Sequence, residues 1–405
     1  MTHSIELGFF SPVVVFMARF LTSGRPFVVK FLIALLLGLC VSVAQAQKDS
    51  TIVLYGLLDL GFSYQRIQAG SDSTTFAQPG RAQAQLAMAS GQQSGSRWGI
   101  KGTQALSNGF QINFVLESGV DVTTGASSGF DRQSTLGIQS EQWGEWTMGR
   151  RITPATEAFA GIDPFDFSFG QSSLTSSMGS SFIRFSNLVA YTTPVMNGVS
   201  VYGGWSFDTG LRNINAPETA GAFGTSNKFR ALSLGFRYEA ARFLLAGTYD
   251  RFYSPSGKNA SAVTLWGIGA TYDQTVVKWH AAVGQNIDGL VNGTGALGDT
   301  QIDADDADTA GAVLYRPGSR TLQWMLGATI PTGPVDRLFV SIQQQRPSHD
   351  FSQGDRSNQT AYSVGYTHGL SKSTDVYAFY SHMTSVAMFN GATSDQFGVG
   401  MRHLF

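Results

Sequence analysis

Apolar and polar residues alternate with a period of two along most of the chain. In segment 393–405, for example, Phe397, Val399 and Met401 alternate with small or polar residues. Successive side chains of a β-strand point to opposite faces, so this alternation predicts strands with one apolar and one polar face. Helical periodicity is nearly absent, and the single candidate helix is a short piece around 155–161. The chain is therefore predicted to be all-β.

Sixteen segments show this alternation. They cover residues 51–66, 92–104, 108–121, 129–140, 143–150, 182–193, 197–207, 226–240, 241–252, 259–273, 274–288, 320–330, 334–346, 358–370, 371–383 and 393–405. The connections between them alternate in length, with seven tight turns and eight long loops. An even strand number with this alternation is typical of outer-membrane barrels, in which closure leaves no unpaired sheet edge in lipid. We therefore predict a closed 16-stranded antiparallel transmembrane β-barrel with the long loops outside.

The composition supports a barrel rather than a soluble domain. Charged residues make up 14% of the chain, whereas soluble domains carry about 25%. The formal net charge of −1 excludes a strongly basic nucleic-acid binder, so no nucleic-acid partner is expected. A soluble β-sandwich is the alternative, but two packed sheets do not suit so long a chain rich in glycine and tyrosine. Sixteen strands leave an aqueous lumen, which indicates a pore.

A cleavable export signal is predicted at the start of the chain. Ala44-Gln45-Ala46 has the small-residue pattern of a signal-peptidase site, and it follows the apolar run 31–41. We predict residues 1–46 to be the signal peptide, with Met17 as an alternative start, and residues 47–405 to form the barrel. The single cysteine, Cys40, lies within this signal, so the exported chain is expected to have no disulfide and no thiolate ligand.

Several sequence blocks resemble those of the Gram-negative general porins. They are TIVLYGLLD (51–59), SRWGIKG (96–102), FVLESG (114–119), FDRQ (130–133), TMGR (147–150) and GVGMRHLF (398–405). The resemblance runs in order over the whole chain after the signal peptide. It implies a homotrimer in the outer membrane, in contact with lipid and lipopolysaccharide, and a terminal Phe405 that the barrel-assembly machinery reads.

The resemblance also implies that the third long loop folds into the barrel and narrows the pore. In this sequence that loop is 151–181. The family's usual Pro-Glu-Phe-Gly-Gly turn is absent from it, and DPFD (163–166) followed by Phe169-Gly170 occupies the region instead. The path of the loop and the width of the opening are therefore expected to depart from the family pattern.

The family's constriction opposes wall arginines to loop carboxylates, which identifies candidate residues here. The candidates of the basic wall are Arg97, Arg132, Arg184 and Lys101. The candidate carboxylates are Glu117 on the wall and Glu157, Asp163 and Asp166 on the loop. The three arginines are candidates because they match the family's positions. Lys101 shares the face of Arg97, because side chains repeat every two residues along a strand, and the same alternation turns Glu117 toward the lumen.

Three further patterns point to other chemistry more weakly. Residues 125–129 (GASSG) match G-x-S-x-G, but a nucleophile elbow needs a helix after the serine, and a strand is predicted there. The acidic stretch 299–308 lacks the glycine and final glutamate of an EF-hand loop, which favours a solvated external loop. The five histidines after the signal peptide are scattered. We therefore predict no catalytic residue, no metal, no cofactor and no enzymatic activity.

The sequence predicts a general diffusion porin that passes small hydrophilic solutes and ions passively. Arginine clusters in a pore favour anions, so a weak anion preference is expected. Two alternatives stay open, namely a substrate-specific carboxylate or sugar channel, and a barrel whose external loops carry adhesion. A carboxylate track needs several basic side chains in the lumen, to which Arg402 would also contribute. A sugar track needs a ladder of lumenal aromatics, for which Tyr55 and Tyr202 are the candidates.

Overall fold

The fold is known from a computed structural model, which describes residues 50–68, 82–178, 184–213, 228–255, 262–292, 312–348 and 357–405. The predicted signal peptide (1–46) and the acidic stretch 299–308 lie outside the described residues. The GASSG segment (125–129) forms a loop and no helix follows it, as the sequence predicts.

The described chain forms a closed antiparallel barrel of sixteen strands. The strands are β1 (Ser50–Gln68), β2 in two segments (Ala82–Ser90 and Arg97–Ala105), β3 (Phe110–Gly119), β4 (Gln133–Ser140), β5 (Gly144–Ile152), β6 (Arg184–Thr192), β7 (Val199–Ser206), β8 (Arg230–Ala240), β9 (Phe243–Tyr253), β10 (Ala262–Asp273), β11 (Lys278–Asn292), β12 (Ala312–Pro331), β13 (Asp336–Pro347), β14 (Gln359–Gly369), β15 (Thr374–Thr384) and β16 (Thr393–Leu404). Each strand pairs with the next, and β16 pairs with β1 to close the barrel. The predicted fold class and strand number are confirmed.

The sequence predicts the second strand as one unbroken segment over 92–104, and the observed strand differs from this prediction. It begins at Ala82, inside the predicted loop 67–91, and is interrupted between Ser90 and Arg97. The pairs Leu60↔Ser90 and Leu57↔Arg97 fix the register on either side of the interruption. Two residues of β1 therefore face six residues of β2, so the extra residues must leave the sheet. We call residues 91–96 the β2 bulge.

The outer face of the barrel is apolar. Large side chains exposed there include Leu54, Leu86, Leu136, Met148 and Leu326, each more than half exposed. Aromatic residues near strand ends are also exposed, including Trp143, Trp146 and Trp279, as expected of side chains at the membrane–water interface. No helix in the described part of the chain is both long and apolar enough to cross a bilayer.

The third loop, which we call L3, fills one side of the barrel interior. It contains the helix α1 (Pro154–Ala158), close to the predicted 155–161, and two short 3₁₀ turns. Two apolar clusters join it to the inner wall. One packs Phe159, Ile162, Phe167, Leu174 and Met178 against Leu244, Ala246, Ala282 and Met325. The other packs Phe165 and Phe169 against Phe339, Tyr377 and Phe379. These apolar contacts hold the predicted inward loop in place.

Gly149 in β5 is expected to be essential for assembly. Its φ is +129°, and a Cβ built there would lie 2.0 Å from the carbonyl oxygen of Ser134 in β4. Gly149→Ala would therefore combine backbone strain with a clash against the ladder, and we expect it to destabilise the barrel by about 3 kcal/mol. The fraction of protein that migrates as a folded barrel on an unheated SDS gel measures this loss.

Gly203 in β7 provides the matched control. A Cβ built on Gly203 would meet its nearest atom, Leu234 Cδ2, at 3.5 Å, which is an ordinary contact. Gly203→Ala should fold as the wild type does. Equal folded fractions for the two variants would contradict the steric argument at Gly149.

Candidate functional site

The basic candidate residues lie on the part of the wall that L3 leaves uncovered. L3 packs against the inner faces of β7 to β15, whereas Arg97 and Lys101 lie on β2 and Arg132 directly precedes β4. Arg97 pairs with Gly119 across β2 and β3, and Gly99 pairs with Glu117. Side chains of paired residues share a face, so Arg97 and Glu117 project from the same face.

Glu117 is the centre of this basic wall. Its Oε1 lies 2.9 Å from Nε of Arg132, and its Oε2 lies 3.7 Å from Nε of Arg97. The hydroxyl of Tyr55 donates to Oε2 at 2.9 Å. Only 6% of the Glu117 side chain is exposed, compared with 29% for Arg97. Two guanidinium groups thus share one buried carboxylate, which leaves a local positive charge beside the lumen.

Lys101 and Arg184 extend the positive charge in two directions. The Nζ of Lys101 lies 5.1 Å from the centroid of the Tyr55 ring, within the range of a cation–π contact. Arg184, at the start of β6, lies within electrostatic range of Arg132 and Glu117. The structure therefore brings together all four predicted basic residues and Glu117.

Of the three predicted loop acids, Glu157 is the one that forms an ion pair. Its Oε2 lies 2.6 Å from Nη2 of Arg151, a residue of β5 that the sequence argument missed. The alternation of β5 puts Arg151 on the face of Thr147, and this could have identified it. Burial raises the pKa of Glu157, while Arg151 opposes this change.

Asp163 points into L3 rather than toward the basic wall. Its side chain is buried, and its carboxylate accepts hydrogen bonds from the backbone N–H groups of Phe165 (3.0 Å), Phe167 (3.0 Å) and Leu174 (2.8 Å). It therefore holds the fold of the loop, and it is not brought together with the arginines. Asp166 is exposed and has a φ of +50°.

Burial makes Asp163 a source of pH dependence in L3. It raises the pKa of Asp163 from 3.8 to about 7, although the three backbone donors favour the ionised form. The pKa of Asp163 is higher in the folded loop than in the unfolded chain. The stabilisation of folded L3 by protonated Asp163 is therefore complete below about pH 4 and is lost as the pH rises toward 7. We expect brief closures of single channels to become several-fold more frequent from pH 4 to pH 7 and then level off.

Asp163→Asn should remove this pH profile, because an amide does not titrate in the range. Asp121→Asn, which changes a half-buried acid in another loop, is the control and should retain the profile. If the closures of Asp163→Asn still changed with pH, the dependence would have to come from another group.

A recess of about 320 Å³ with both polar and apolar lining residues lies in the uncovered wall. Lys101 and Arg151 line it together with the amides of Asn113, Gln133 and Gln139. Glu145 lines the same recess and accepts a hydrogen bond from Asn113 Nδ2 at 2.8 Å. Lys101 offers a cation to a small solute in this recess, whereas the Arg151 guanidinium is already paired with Glu157. Among the described residues, no group of three or more His, Cys, Asp and Glu side chains is placed to hold a metal ion.

Comparisons with known proteins agree with this fold. The family profile described as Gram-negative porin matches residues 33–387. An outer membrane porin protein of Bordetella pertussis is 33% identical over 375 residues, which cover 89% of this chain and 96% of the relative. Outer membrane porin protein 32 of Delftia acidovorans is 27% identical over 363 residues, which cover 86% of this chain and 87% of the relative.

Solved structures show the same architecture. The anion-selective porin from Comamonas acidovorans matches with a TM-score of 0.65 at 20% identity, covering 88% of this chain and 100% of that one. An outer membrane protein of Vibrio cholerae, described in a trimer form, matches with a TM-score of 0.58 at 13% identity, covering 88% of this chain and 100% of that one. By its family profile and its relatives, this chain belongs to the Gram-negative porins and is an outer-membrane pore protein.

Proposed function

We propose that this porin is a general diffusion channel for small hydrophilic solutes with a moderate preference for anions. The observation that carries the preference is the pairing of Arg97 and Arg132 with a single carboxylate, Glu117. Two guanidinium groups and one carboxylate leave a net positive charge, which faces L3 across a narrow water column. This charge attracts anions and repels cations. The fold similarity to a porin described as anion-selective supports the same sign.

We also propose that the channel works as a homotrimer. The outer faces of β1 to β5 carry large apolar side chains, among them Leu54, Leu86, Met88 and Met148, which suit contact with lipid or with a second copy. A fold relative is described in a trimer form. Lipopolysaccharide contact and recognition by the assembly machinery stay predictions. Phe405 suits recognition by the assembly machinery, because its main chain pairs with Gly56 while the residue stays 56% exposed.

Recordings from the purified full-length porin in a planar bilayer test these proposals. Under a salt gradient we expect conductance steps in groups of three and a zero-current potential toward the equilibrium value of the anion. Independent single steps would contradict the trimer, and a potential toward the cation value would contradict the selectivity. A folded barrel that does not conduct would contradict the diffusion pore itself.

The recess beside Lys101 favours a second candidate function, a channel with a preferred carboxylate. Lys101 lines the recess together with amide side chains, and its ammonium group suits a solute that carries a carboxylate. Specific binding would make the current carried by a small carboxylate saturate as its concentration rises. A current that rises in proportion to concentration, as for chloride, would favour general diffusion.

A further inference from the structure

We propose that the β2 bulge sets the width of the constriction and that Asp59 is the positioning residue that holds it. The bulge contacts the basic wall on one side and the tip of L3 on the other, so its shape fixes the separation of the two. This inference rests on the proposed diffusion function, because it names the element that defines the selective opening.

Asp59 in β1 fixes the bulge through its side chain and its backbone. Its Oδ2 accepts from the N–H groups of Gln93 (2.6 Å) and Ser94 (2.7 Å). Its backbone carbonyl accepts from Gly91 N–H at 2.9 Å, and its own N–H donates to Oγ of Ser96 at 3.0 Å. The Asp59 residue is fully buried. One residue thus contacts both ends and the middle of the bulge.

A second set of contacts supports Asp59 from the far side. The hydroxyl of Tyr377 in β15 donates to Oδ1 of Asp59 at 2.6 Å. Arg402 in β16 donates to Oγ of Ser94 at 3.0 Å and forms an ion pair with Asp375 at 2.8 Å. The bulge is therefore braced by the strands on the other side of the barrel closure, and it does not depend on β2 alone.

The bulge contacts the basic wall through Gly95. The carbonyl oxygen of Gly95 accepts from Nη1 of Arg97 at 2.9 Å. The guanidinium group of Arg132 packs against the same residue, since a Cβ built on Gly95 would lie 2.8 Å from its Nη1. Both arginines that pair with Glu117 therefore rest on the bulge, and a shift of the bulge would move them.

The bulge contacts L3 through Gln92. The carbonyl oxygen of Gln92 accepts from the N–H group of Phe169 at 2.7 Å. Phe169 has a φ of +64° and its ring packs against Phe339, Tyr377 and Phe379. The side-chain amide of Gln92 also reaches the Tyr377 hydroxyl at 3.3 Å. The tip of L3 is thus tied to the same six residues that carry the arginines.

Asp59→Ala tests the inference, because it removes the carboxylate that accepts from Gln93, Ser94 and Tyr377 without changing the arginines or L3. In bilayer recordings we expect the single-channel conductance to rise about 1.5-fold and the anion-to-cation permeability ratio to fall by about half. Exchange of the amide hydrogens in 165–174 should accelerate about tenfold. Tyr377→Phe, which removes one hydroxyl, should give smaller changes in the same direction.

A matched control is available at the start of β13. Asp336 also accepts a hydrogen bond from a tyrosine, Tyr366, at 2.8 Å, but the exposed Tyr366 lies on the outer face with Tyr362 and Val364. Asp336→Ala and Tyr366→Phe should leave conductance, permeability ratio and exchange in 165–174 unchanged.

The possible outcomes separate this inference from the proposed function. A folded Asp59→Ala porin with wild-type conductance, permeability ratio and exchange overturns the inference even where the wild type is anion-selective. If Asp59→Ala does not fold, unchanged values for Tyr377→Phe overturn it, and shifted values support it. If the wild type does not conduct, the diffusion function fails, and amide exchange in 165–174 alone decides whether Asp59 holds L3.

Discussion

Removing both arginines that pair with Glu117 is expected to reverse the ion selectivity of the pore. In Arg97→Ala/Arg132→Ala the Glu117 carboxylate keeps the Tyr55 hydroxyl but loses both cations. A buried charge left unpaired costs about 3–5 kcal/mol, so we expect the carboxylate to turn into the lumenal water. The zero-current potential in a tenfold salt gradient, which cannot exceed about 59 mV for a monovalent ion, should then change sign from anion to cation preference.

Two further variants make this result specific. Adding Glu117→Gln to the double variant removes the remaining charge and should bring the potential close to zero. Arg251→Ala removes one positive charge from the outer face, where Arg251 pairs with Leu232, and should leave the potential unchanged. A double variant that stayed anion-selective would mean that selectivity arises elsewhere in the pore.

Detaching L3 is expected to have the second large effect. Phe165 and Phe169 pack edge-on against each other with ring centroids 5.8 Å apart, and Phe165 packs against Phe339 at 5.2 Å. Replacing a buried phenylalanine by alanine costs about 3–5 kcal/mol. In Phe165→Ala/Phe169→Ala we expect L3 to leave the wall, with a conductance increase of about twofold or more and a loss of most ion selectivity.

The control for this variant is a buried aromatic pair of the wall itself. Phe185 and Phe252 pack at 5.6 Å, outside L3, and both are almost fully buried. Phe252→Ala should lower the denaturant midpoint of the barrel to a similar degree while leaving the conductance unchanged. If both variants changed conductance equally, the effect would reflect general loosening of the barrel rather than release of L3.

The strands were predictable because their signal is local. Alternation within ten or so residues identified all sixteen, and it correctly placed Glu117 on the face of Arg97. The split of β2 was missed because residues 91–96 leave the sheet to satisfy Asp59, a contact that the spacing within β2 does not encode. The inward burial of Asp163 was missed for a similar reason, since its partners are set by how L3 folds back on itself.

The pairing of Glu157 with Arg151 was only partly predictable from the sequence. Both residues are visible in the sequence, and the alternation of β5 places Arg151 on the lumenal face beside Thr147. What the sequence does not show is the entry of the chain into α1 at Thr153, whose Oγ1 accepts from the N–H group of Thr156 at 3.1 Å. That cap turns the chain so that Glu157 returns to Arg151.

The position of the L3 contacts along the chain has a consequence for the order of assembly. L3 precedes β6, but the residues that receive Phe169 (Phe339, Tyr377 and Phe379) belong to strands near the C-terminus. An intermediate that lacks these last strands has no surface on which Phe169 can settle. The tip of L3 around Phe169 is therefore fixed only when the barrel is nearly complete, and a porin stalled late in insertion would leave this part of the constriction unformed.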